Sequence, residues 1–407
     1  MNSIDTGDTA WVLIATTLVL MMTPALAFFY GGMVRKKNVL STLNLSFILM
    51  ALISLQWNLF GFTLAFGVSR GGLIGGLGYL GLSGVGPEPN ADYAATIPFL
   101  LFAAYQMMFA VITPALITGA FVERIRFKTF LIFSLLWATL VYDPVAHWVW
   151  GVGGILRNLG ALDFAGGNVV HITAGFSALA LAQVIRSRQG FNNGSMEPHN
   201  IPFSVLGAGL LWMGWFGFNG GSALGANGLA ATALMNTNTA AAAAALVWML
   251  LSWRDSRPSV LGIITGAVVG LVAITPAAGF VTPIGAMIIG ALAAPISFFA
   301  IKLRQSRRLD ESLDVWACHG MGGVWGALAT GLFATKAVNP AGADGLFYGN
   351  PQQLLVQALS VAVTVVFAFG VTWLLGVALK RTIGLSVSDT EEQIGLDIAE
   401  HGERAYA

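Results

Sequence analysis

Long apolar stretches recur along almost the whole chain and leave few alternatives for its fold. Apolar stretches of roughly 18 residues or more are typical of transmembrane helices. Of the 407 residues, 56% are hydrophobic and only 10% are charged, whereas a soluble domain carries about 25% charged residues. The sequence therefore predicts an all-α polytopic membrane protein with eleven transmembrane helices, at approximately 10–30, 39–67, 96–120, 127–148, 167–186, 200–219, 229–253, 259–275, 284–303, 316–334 and 353–380.

The lysines and arginines predict the orientation of these helices, because such residues collect in cytoplasmic loops. If the basic segment 35–37 is cytoplasmic, only Arg70, Arg157 and Lys336 of the 20 lysines and arginines fall outside. With an odd number of spans, the N-terminus is then outside and the C-terminus in the cytoplasm of a cell (plasma or inner) membrane. The net charge is only +1, but the basic residues are concentrated on the predicted cytoplasmic face. This distribution follows from membrane topology, and no nucleic-acid surface is expected.

Several chemistries are disfavoured by what the sequence lacks. The single cysteine, Cys318, excludes an internal disulfide and a cysteine metal cluster, and no metal site is predicted. The chain has neither a Gly-x-Ser-x-Gly elbow nor a His-Glu-x-x-His motif, so hydrolase activity has little support and no enzyme is predicted. A glycosylation sequon at Asn193 falls on the predicted inner face, where it would stay unmodified.

The spans divide into two sets of five. Residues 1–190 and 200–335 each supply five, and each set ends with a histidine-bearing segment. Because five is odd, the second set starts on the opposite membrane face, which predicts an inverted five-plus-five repeat with a substrate site between the halves. The eleventh helix, at about 353–380, completes a transporter domain over 1–381, and a cytoplasmic tail follows at 382–407.

His171 and His319 are the two histidines that end these sets, and each lies in an apolar segment beside glycines. A lone histidine in a span can simply bond a neighbouring backbone, but two in matching positions favour a lined pathway. Imidazole both donates and accepts hydrogen bonds and changes charge near neutral pH. His147, near the end of a span, is expected at the membrane interface, and His199 and His401 are expected to be solvated.

The cargo is constrained by the charges that are missing. No Asp, Glu, Lys or Arg is expected to accompany the two histidines within the spans, so a cation would meet no counter-ion there. Small polar cargo that can lose a proton fits this pathway better than a hydrated alkali-metal ion. Near the predicted outer span ends, Trp150, Phe109 and Ser222 could recruit a cation, and Asp163 could cap the following helix.

Eight stretches resemble the ammonium transporter (Amt/Mep/Rh) family, on its prokaryotic Amt side. They occur in order over nearly the whole chain, and the combination of GALDFAGG, VVH and GWFGFNGGS is specific to this family. The matching stretches are FFYGGMVRKKNVL from Phe28, ERIRF from Glu123, AHWVWG from Ala146, GALDFAGGNVVH from Gly160, EPHNIPF from Glu197, GWFGFNGGSA from Gly214, TPAAGF from Thr275 and DESLDVWACHG from Asp310.

This resemblance implies a fold and a set of roles. The fold would have eleven helices in a pseudo-twofold five-plus-five arrangement, as a homotrimer with one pore in each subunit. By motif position, ammonium would be recruited at Trp150, Phe109 and Ser222, supported by Asp163. The other implied residues are the stacked gate of Phe109 and Phe218, the pore pair of His171 and His319, the pore-lining Thr275, and Tyr105 where relatives often place another aromatic.

The end of the chain also carries the resemblance, through GLDIAEHGERAY from Gly395. In relatives this cytoplasmic segment touches the neighbouring subunit, and the cytoplasmic face is the docking site of a PII-type signal protein. A merely solvated end is the alternative. The implied regulatory residues are Asp310, Gly395, Asp397, His401 and Gly402.

The leading interpretation is an ammonium transporter for nitrogen uptake that needs no cofactor. It would deprotonate ammonium near the gate and conduct ammonia past the histidines, with net charge movement; methylammonium would serve as an analogue. An electroneutral ammonia channel and an ammonium sensor are the alternatives, although a tail over 382–407 leaves no room for the long signalling domain usual in sensors. A membrane redox enzyme with haem between His171 and His319 is a further alternative.

Overall fold

The computed structural model describes residues 3–191, 196–255 and 257–406, so the sequon at Asn193 lies outside the described residues. Helices dominate the chain. Their bounds are α1 Thr6–Met33, α2 Lys36–Phe66, α3 Phe99–Ala120, α4 Phe127–Asn158 with a bend at 151–154, α5 Gly167–Val184, α6 Ile201–Ala223, α7 Gly228–Asp255, α8 Val260–Ile274, α9 Pro283–Ser306, α10 over 316–333, α11 Pro351–Thr382, α12 Asp389–Ile394 and α13 Leu396–His401.

Within the described residues, nine helices are long and apolar enough to cross a membrane: α1 to α7, α9 and α11. They match nine of the predicted spans. The predicted spans 259–275 and 316–334 also form helices, α8 and α10, but α8 has only 15 residues, and α10, although as long as α5, is not apolar enough to be counted among the nine. The multi-pass membrane architecture is confirmed, and the count of eleven spans stays a prediction.

The segment between α2 and α3 departs from the purely helical prediction. It holds two short antiparallel ribbons, β1 (Ser69–Arg70) with β2 (Ile74–Gly75), and β3 (Pro89–Asn90) with β4 (Ala94–Pro98). A 3₁₀ segment, Leu77–Leu82, lies between the ribbons. This segment, which includes the glycine-rich stretch 71–81, is therefore an ordered connector over the ends of α2 and α3.

Small residues bring the helices into close contact, as membrane interiors favour. Gly207 of α6 lies against the backbone of Phe29 in α1, and Gly290 of α9 lies against Ala240 in α7, so a Cβ at either glycine would clash. At Gly175 in α5, an added Cβ would meet the backbone of Gly320 in α10. The helix pairs α1 with α6 and α5 with α10 thus approach backbone to backbone, and α5 and α10 carry the two pathway histidines.

The end of the chain folds back onto the helix ends. Ser388 begins α12 with a capping box, in which its hydroxyl accepts from the Glu391 N–H and the Glu391 carboxylate accepts from the Ser388 N–H. Leu396 N–H donates to Asn38 Oδ1, and Ser41 N–H donates to Asp397 Oδ1, at 2.9 and 2.8 Å. We call the side of the molecule covered by residues 383–406 the tail face.

Candidate functional site

The side chains of His171 and His319 meet where α5 crosses α10. Their Nδ1 atoms lie 3.3 Å apart, and the two residues are 1% and 3% exposed. Each histidine sits in a π-helical turn, Gly167–Ile172 or Trp316–Met321. Such turns widen the helix by one residue and recur at functional sites.

Thr275 connects the histidine pair to the end of α8. Its hydroxyl donates to Leu271 O at 2.8 Å and accepts from Trp215 Nε1 at 2.9 Å, and it lies 3.3 Å from His171 Nε2. Because the hydroxyl hydrogen is used on Leu271, the histidine contact is best made by an Nε2–H donor. His171 Nδ1 is then the acceptor of the Nδ1–H of His319, which leaves His319 Nε2 without a hydrogen.

Two phenylalanines close the pathway on the side away from the tail face. The ring centroids of Phe109 and Phe218 are 4.4 Å apart, and both side chains are 1% exposed. The ring of Phe218 also stacks on His171 with a centroid distance of 6.0 Å and an interplanar angle of 16°. The aromatic pair and the histidine pair therefore form one continuous column.

Beyond the phenylalanines is a cavity of about 290 Å³, which we call the vestibule. Its lining includes Trp150, Ser222, Asp163 and Phe109, so the residues singled out in the sequence come together there. The rings of Phe109 and Trp150 pack edge to face, with 5.9 Å between their centroids. Ser222 Oγ donates to Phe218 O at 2.8 Å, which leaves its lone pairs free to accept.

Trp150 and Asp163 are held by the turn that starts α5. The indole N–H of Trp150 donates to Asp163 O at 3.0 Å. The Asp163 carboxylate accepts the backbone N–H groups of four consecutive residues, 166–169, at 2.6 to 3.4 Å. Burial raises the pKa of this carboxyl above its ordinary value, and the four donors oppose the shift. In this geometry Asp163 holds Trp150 and the N-terminus of α5 in position beside the vestibule.

A second cavity, of about 230 Å³, lies on the tail side of the histidines. Its lining includes His319, Cys318, Asp314 and Tyr30. Between it and the vestibule, a space of only about 10 Å³ is lined by both histidines, Trp215 and Phe218. A cavity of that size holds roughly one water molecule. The described residues thus form two cavities joined by a constriction at the histidine pair.

The tail face carries a buried ion-pair cluster, formed by Glu123, Arg188, Asp310, Arg124 and Arg35. Arg188 donates to Glu123 Oε2 and to Asp310 Oδ1, each at 2.7 Å. Although burial alone would raise the pKa of Glu123 and of Asp310, these arginines outweigh it, and both pKa values lie below the ordinary range. The cluster fixes the loop before α10 to the loops that follow α3 and α5.

Of the regulatory residues singled out in the sequence, Asp310 belongs to this cluster, and the others lie in the tail. Gly395 has a positive φ of 105°, and a Cβ there would press on Lys37. Gly402 ends α13 with a φ of 68°, Asp397 is 3% exposed, and His401 packs edge-on against Phe127 at 5.0 Å. Glu392, which the sequence did not single out, is buried and bonds Arg186 and the Gln189 N–H.

Two expectations about polar residues are wrong, and one acid lies inside a span without accompanying the histidines. His199 and His401 are half-buried rather than solvated. The His199 ring nitrogens bond Val34 O and the tail residue Tyr406, each at 3.0 Å, and His401, itself in the tail, packs on Phe127. His147 is buried rather than interfacial, because Ala65 O and Ser69 Oγ occupy its two nitrogens. Asp143 is an acid inside a span, but it bonds Gln56 Nε2 at 2.7 Å and lines none of the three cavities.

The sequence analysis also missed one residue beside the column, Trp215, and one residue of the vestibule, Gln106. Trp215 precedes Phe218 by three residues in the same motif, and this spacing on α6 is the signal that could have revealed it. Gln106 lies in the vestibule three residues before Phe109.

Haem does not fit between the histidines, since α5 and α10 touch at Gly175 and Gly320 and leave no gap for a porphyrin. Among the described residues, no group of three or more histidines, cysteines or acids could hold a metal ion.

Comparison with known proteins identifies the family. The model of the Ammonium Transporter Family matches residues 10–406. The chain belongs to the ammonium transporter family. It is 50% identical over 400 residues to the ammonium transporter Amt1 of Archaeoglobus fulgidus, covering 98% of this chain and 99% of that protein. It is 52% identical over 402 residues to the ammonium transporter of Bacillus subtilis, covering 98% of both.

Solved structures in the family share the architecture. The crystal structure of Candida albicans Mep2 superposes with a TM-score of 0.91 at 37% identity, over 99% of this chain and 91% of that one. A structure titled "Sensor Amt Protein" superposes with a TM-score of 0.87 at 30% identity, over 97% and 98% of the two chains. The family and the apolar helices together support ammonium transport across a membrane.

Proposed function

We propose that this member of the ammonium transporter family recruits ammonium in the vestibule, deprotonates it at the phenylalanine pair, and conducts ammonia past the two histidines with net movement of charge. The histidine pair between two cavities is the observation that carries this proposal. It stands at the narrowest point, where about 10 Å³ of space joins the two sides.

Recruitment rests on aromatic faces and one hydroxyl. A cation over a tryptophan or phenylalanine ring gains about 0.5–2 kcal/mol, and Trp150 and Phe109 offer adjoining faces in the vestibule. Ser222 Oγ accepts an ammonium N–H, because its own hydrogen is donated to Phe218 O. These contacts concentrate ammonium at the mouth without binding it so tightly that it cannot leave.

Deprotonation follows from the constriction. The space below Phe109 and Phe218 is lined by histidines and apolar side chains, with no carboxylate among its described lining residues. A charged ion there would lose its hydration without gaining a counter-charge, whereas neutral ammonia avoids that cost. Ammonia also donates hydrogen bonds, so the unprotonated Nε2 of His319 can guide it. The proton travels separately, passed along the hydrogen-bonded pair of His171 and His319.

The remaining proposals concern assembly and orientation. The tail face is cytoplasmic and the vestibule faces outward, as the distribution of lysine and arginine predicts. The protein forms a homotrimer with one pore in each subunit, and apolar side chains on α7 that are more than half exposed, Leu246, Leu250 and Trp253, offer a contact surface. The tail at 382–407 is regulatory, and a PII-type protein docks on the tail face.

Two other functions remain as alternatives within the family. In an electroneutral ammonia channel, the proton would return to the outside. A sensor is favoured by one specific observation, the fold shared with the chain titled "Sensor Amt Protein", which this chain covers almost completely.

Reconstitution tests the proposal. The purified protein is sealed into liposomes, and the transient current after a jump in ammonium concentration is recorded, with potassium jumps, methylammonium jumps and protein-free vesicles as comparisons. A current with ammonium but not with potassium is the expected result. Internal alkalinisation without current would favour the electroneutral channel. Silence in both measurements would contradict transport and favour the sensor.

The proposed orientation has its own test, which uses the single cysteine. In a Cys318→Ala background, Ser83→Cys and Ser306→Cys place one thiol at an exposed serine on each face. A membrane-impermeant maleimide added to intact cells should label position 83 directly and position 306 only after permeabilisation. The opposite pattern would place the vestibule in the cytoplasm.

A further inference from the structure

Gln106 is a polar residue of the vestibule that none of the interactions described above employs. It lies on α3, four residues after Phe102 and three before Phe109, and all three line the vestibule. Residues at these spacings share one face of a helix. Gln106 therefore projects from the same face of α3 that presents Phe109 to the entering ion.

The side-chain amide of Gln106 has an unused acceptor. Its Oε1 is buried and has no hydrogen-bond partner among the described residues. Leaving a buried amide oxygen unbonded is costly, and most such groups in proteins find a donor. Among the described residues, turning the amide about its last bond costs its oxygen no hydrogen bond. Turned toward the vestibule, the carbonyl meets any donor that enters.

We propose that the Gln106 side-chain carbonyl is a direct ligand of the ammonium ion in the vestibule and helps to set its affinity. This inference rests on the proposed function, because it assigns a ligand to the same recruitment step. The ion brings four N–H donors in a tetrahedral arrangement. Ser222 Oγ and the Gln106 carbonyl accept two of them, and the faces of Trp150 and Phe109 attract the remaining charge.

The same set of contacts discriminates among cations. A hydrated potassium ion exchanges its water shell only for a full shell of oxygens, and two oxygens flanked by aromatic rings do not supply one. Methylammonium keeps three N–H donors and places its methyl group against an aromatic ring. Gln106 therefore favours N–H-bearing cations, and its removal weakens binding of ammonium and of methylammonium in parallel.

Three variants test the assignment through KM and maximal current in liposomes. Gln106→Leu removes the acceptor and should raise KM for ammonium about tenfold while changing the maximal current little, as expected for a lost hydrogen bond to a charged group. Gln106→Glu keeps the shape, adds a negative charge and should lower KM. Met107→Leu, next in sequence and outside the vestibule lining, is the matched control and should leave KM unchanged.

A second measurement separates this proposal from transport itself. Isothermal titration of the purified proteins with ammonium chloride, with choline chloride as the blank, gives Kd without any need for conduction. If Gln106→Leu raises Kd but the wild type passes no current, the result would support Gln106 as a ligand and contradict transport. If the wild type passes current and Gln106→Leu has the same KM and Kd, the assignment of Gln106 as a ligand would be overturned and transport would stand. Neither binding nor current in the wild type would overturn both.

Discussion

The Nδ1 atoms of His171 and His319 lie 3.3 Å apart, where α5 and α10 cross at a pair of glycines. The two imidazoles come from segments 148 residues apart in sequence. A single hydrogen bond between them requires that one nitrogen donates and the other accepts. A proton added to one ring can therefore be handed to the other, and this property carries the proposed movement of charge.

Replacing one member of the pair should separate charge movement from permeation. His171→Ala is expected to abolish the ammonium current or to admit potassium, because the relay is cut and the constriction widens. Currents after ammonium and potassium jumps measure both effects. His199→Ala is the matched control, since that histidine bonds Val34 O and Tyr406 on the tail face and should not change selectivity. Unchanged flux and selectivity in His171→Ala would contradict the relay.

Tyr105→Phe should weaken both the fold and recruitment. The Tyr105 hydroxyl lies 2.8 Å from Gly217 O, 2.9 Å from Phe218 O and 3.2 Å from Ser222 Oγ. Its loss removes a buried hydrogen bond, at a net cost of about 0.5–1.5 kcal/mol, and frees Ser222 from its position. A lower melting temperature in detergent and a higher KM for ammonium are expected.

Tyr142→Phe provides the contrast for that prediction. The Tyr142 hydroxyl is buried and has no partner among the described residues, so its removal deletes a group that makes no hydrogen bond there. The melting temperature should stay the same or rise. If the two tyrosine variants lose equal stability, the hydrogen bonds of Tyr105 do not explain its effect.

The sequence predicted the spans and the vestibule residues for different physical reasons. A membrane helix leaves a local signal, because about 20 consecutive apolar residues are needed to cross the bilayer. Trp150, Phe109, Ser222 and Asp163 came from motifs and from their places at span ends, and they do line one cavity. Contacts between distant loops leave no periodic signal, so the ion pairs of Arg188 were not predictable. His147 was misplaced because its partners, in segment 65–69, are also remote in sequence.

The tail-face cluster should be among the most sensitive sites for stability. Arg188→Ala leaves the carboxylates of Glu123 and Asp310 buried without their main partner, and such a loss costs roughly 3–5 kcal/mol. By contrast, Lys302→Ala breaks a pair with Asp255 in which both side chains are about half exposed, and exposed pairs contribute roughly 0–1 kcal/mol. Thermal unfolding in detergent should therefore show a large shift only for Arg188→Ala. Equal shifts would mean that the cluster is screened by solvent.

The acid that follows Asp310 should make stability depend on pH in an unusual direction. Burial, helped by the nearby charge of Asp314, raises the pKa of Glu311 to about 8. Between the ordinary value of 4.5 and this raised value, the folded protein holds a proton that the unfolded chain has released. Stability contributed by this group is therefore full below about pH 4.5 and declines as the pH rises toward 8, by up to about 1.4 kcal/mol per pH unit.

Glu311→Gln tests this pH dependence directly. The amide keeps the shape of the protonated acid and cannot ionise, so the variant should lose less stability than the wild type between pH 5 and pH 8. Melting temperatures at several pH values in the same detergent provide the comparison. Glu197→Gln, also on the tail face but more exposed, is the matched control and should follow the wild type. Parallel curves for wild type and Glu311→Gln would show that Glu311 is already ionised in the folded protein.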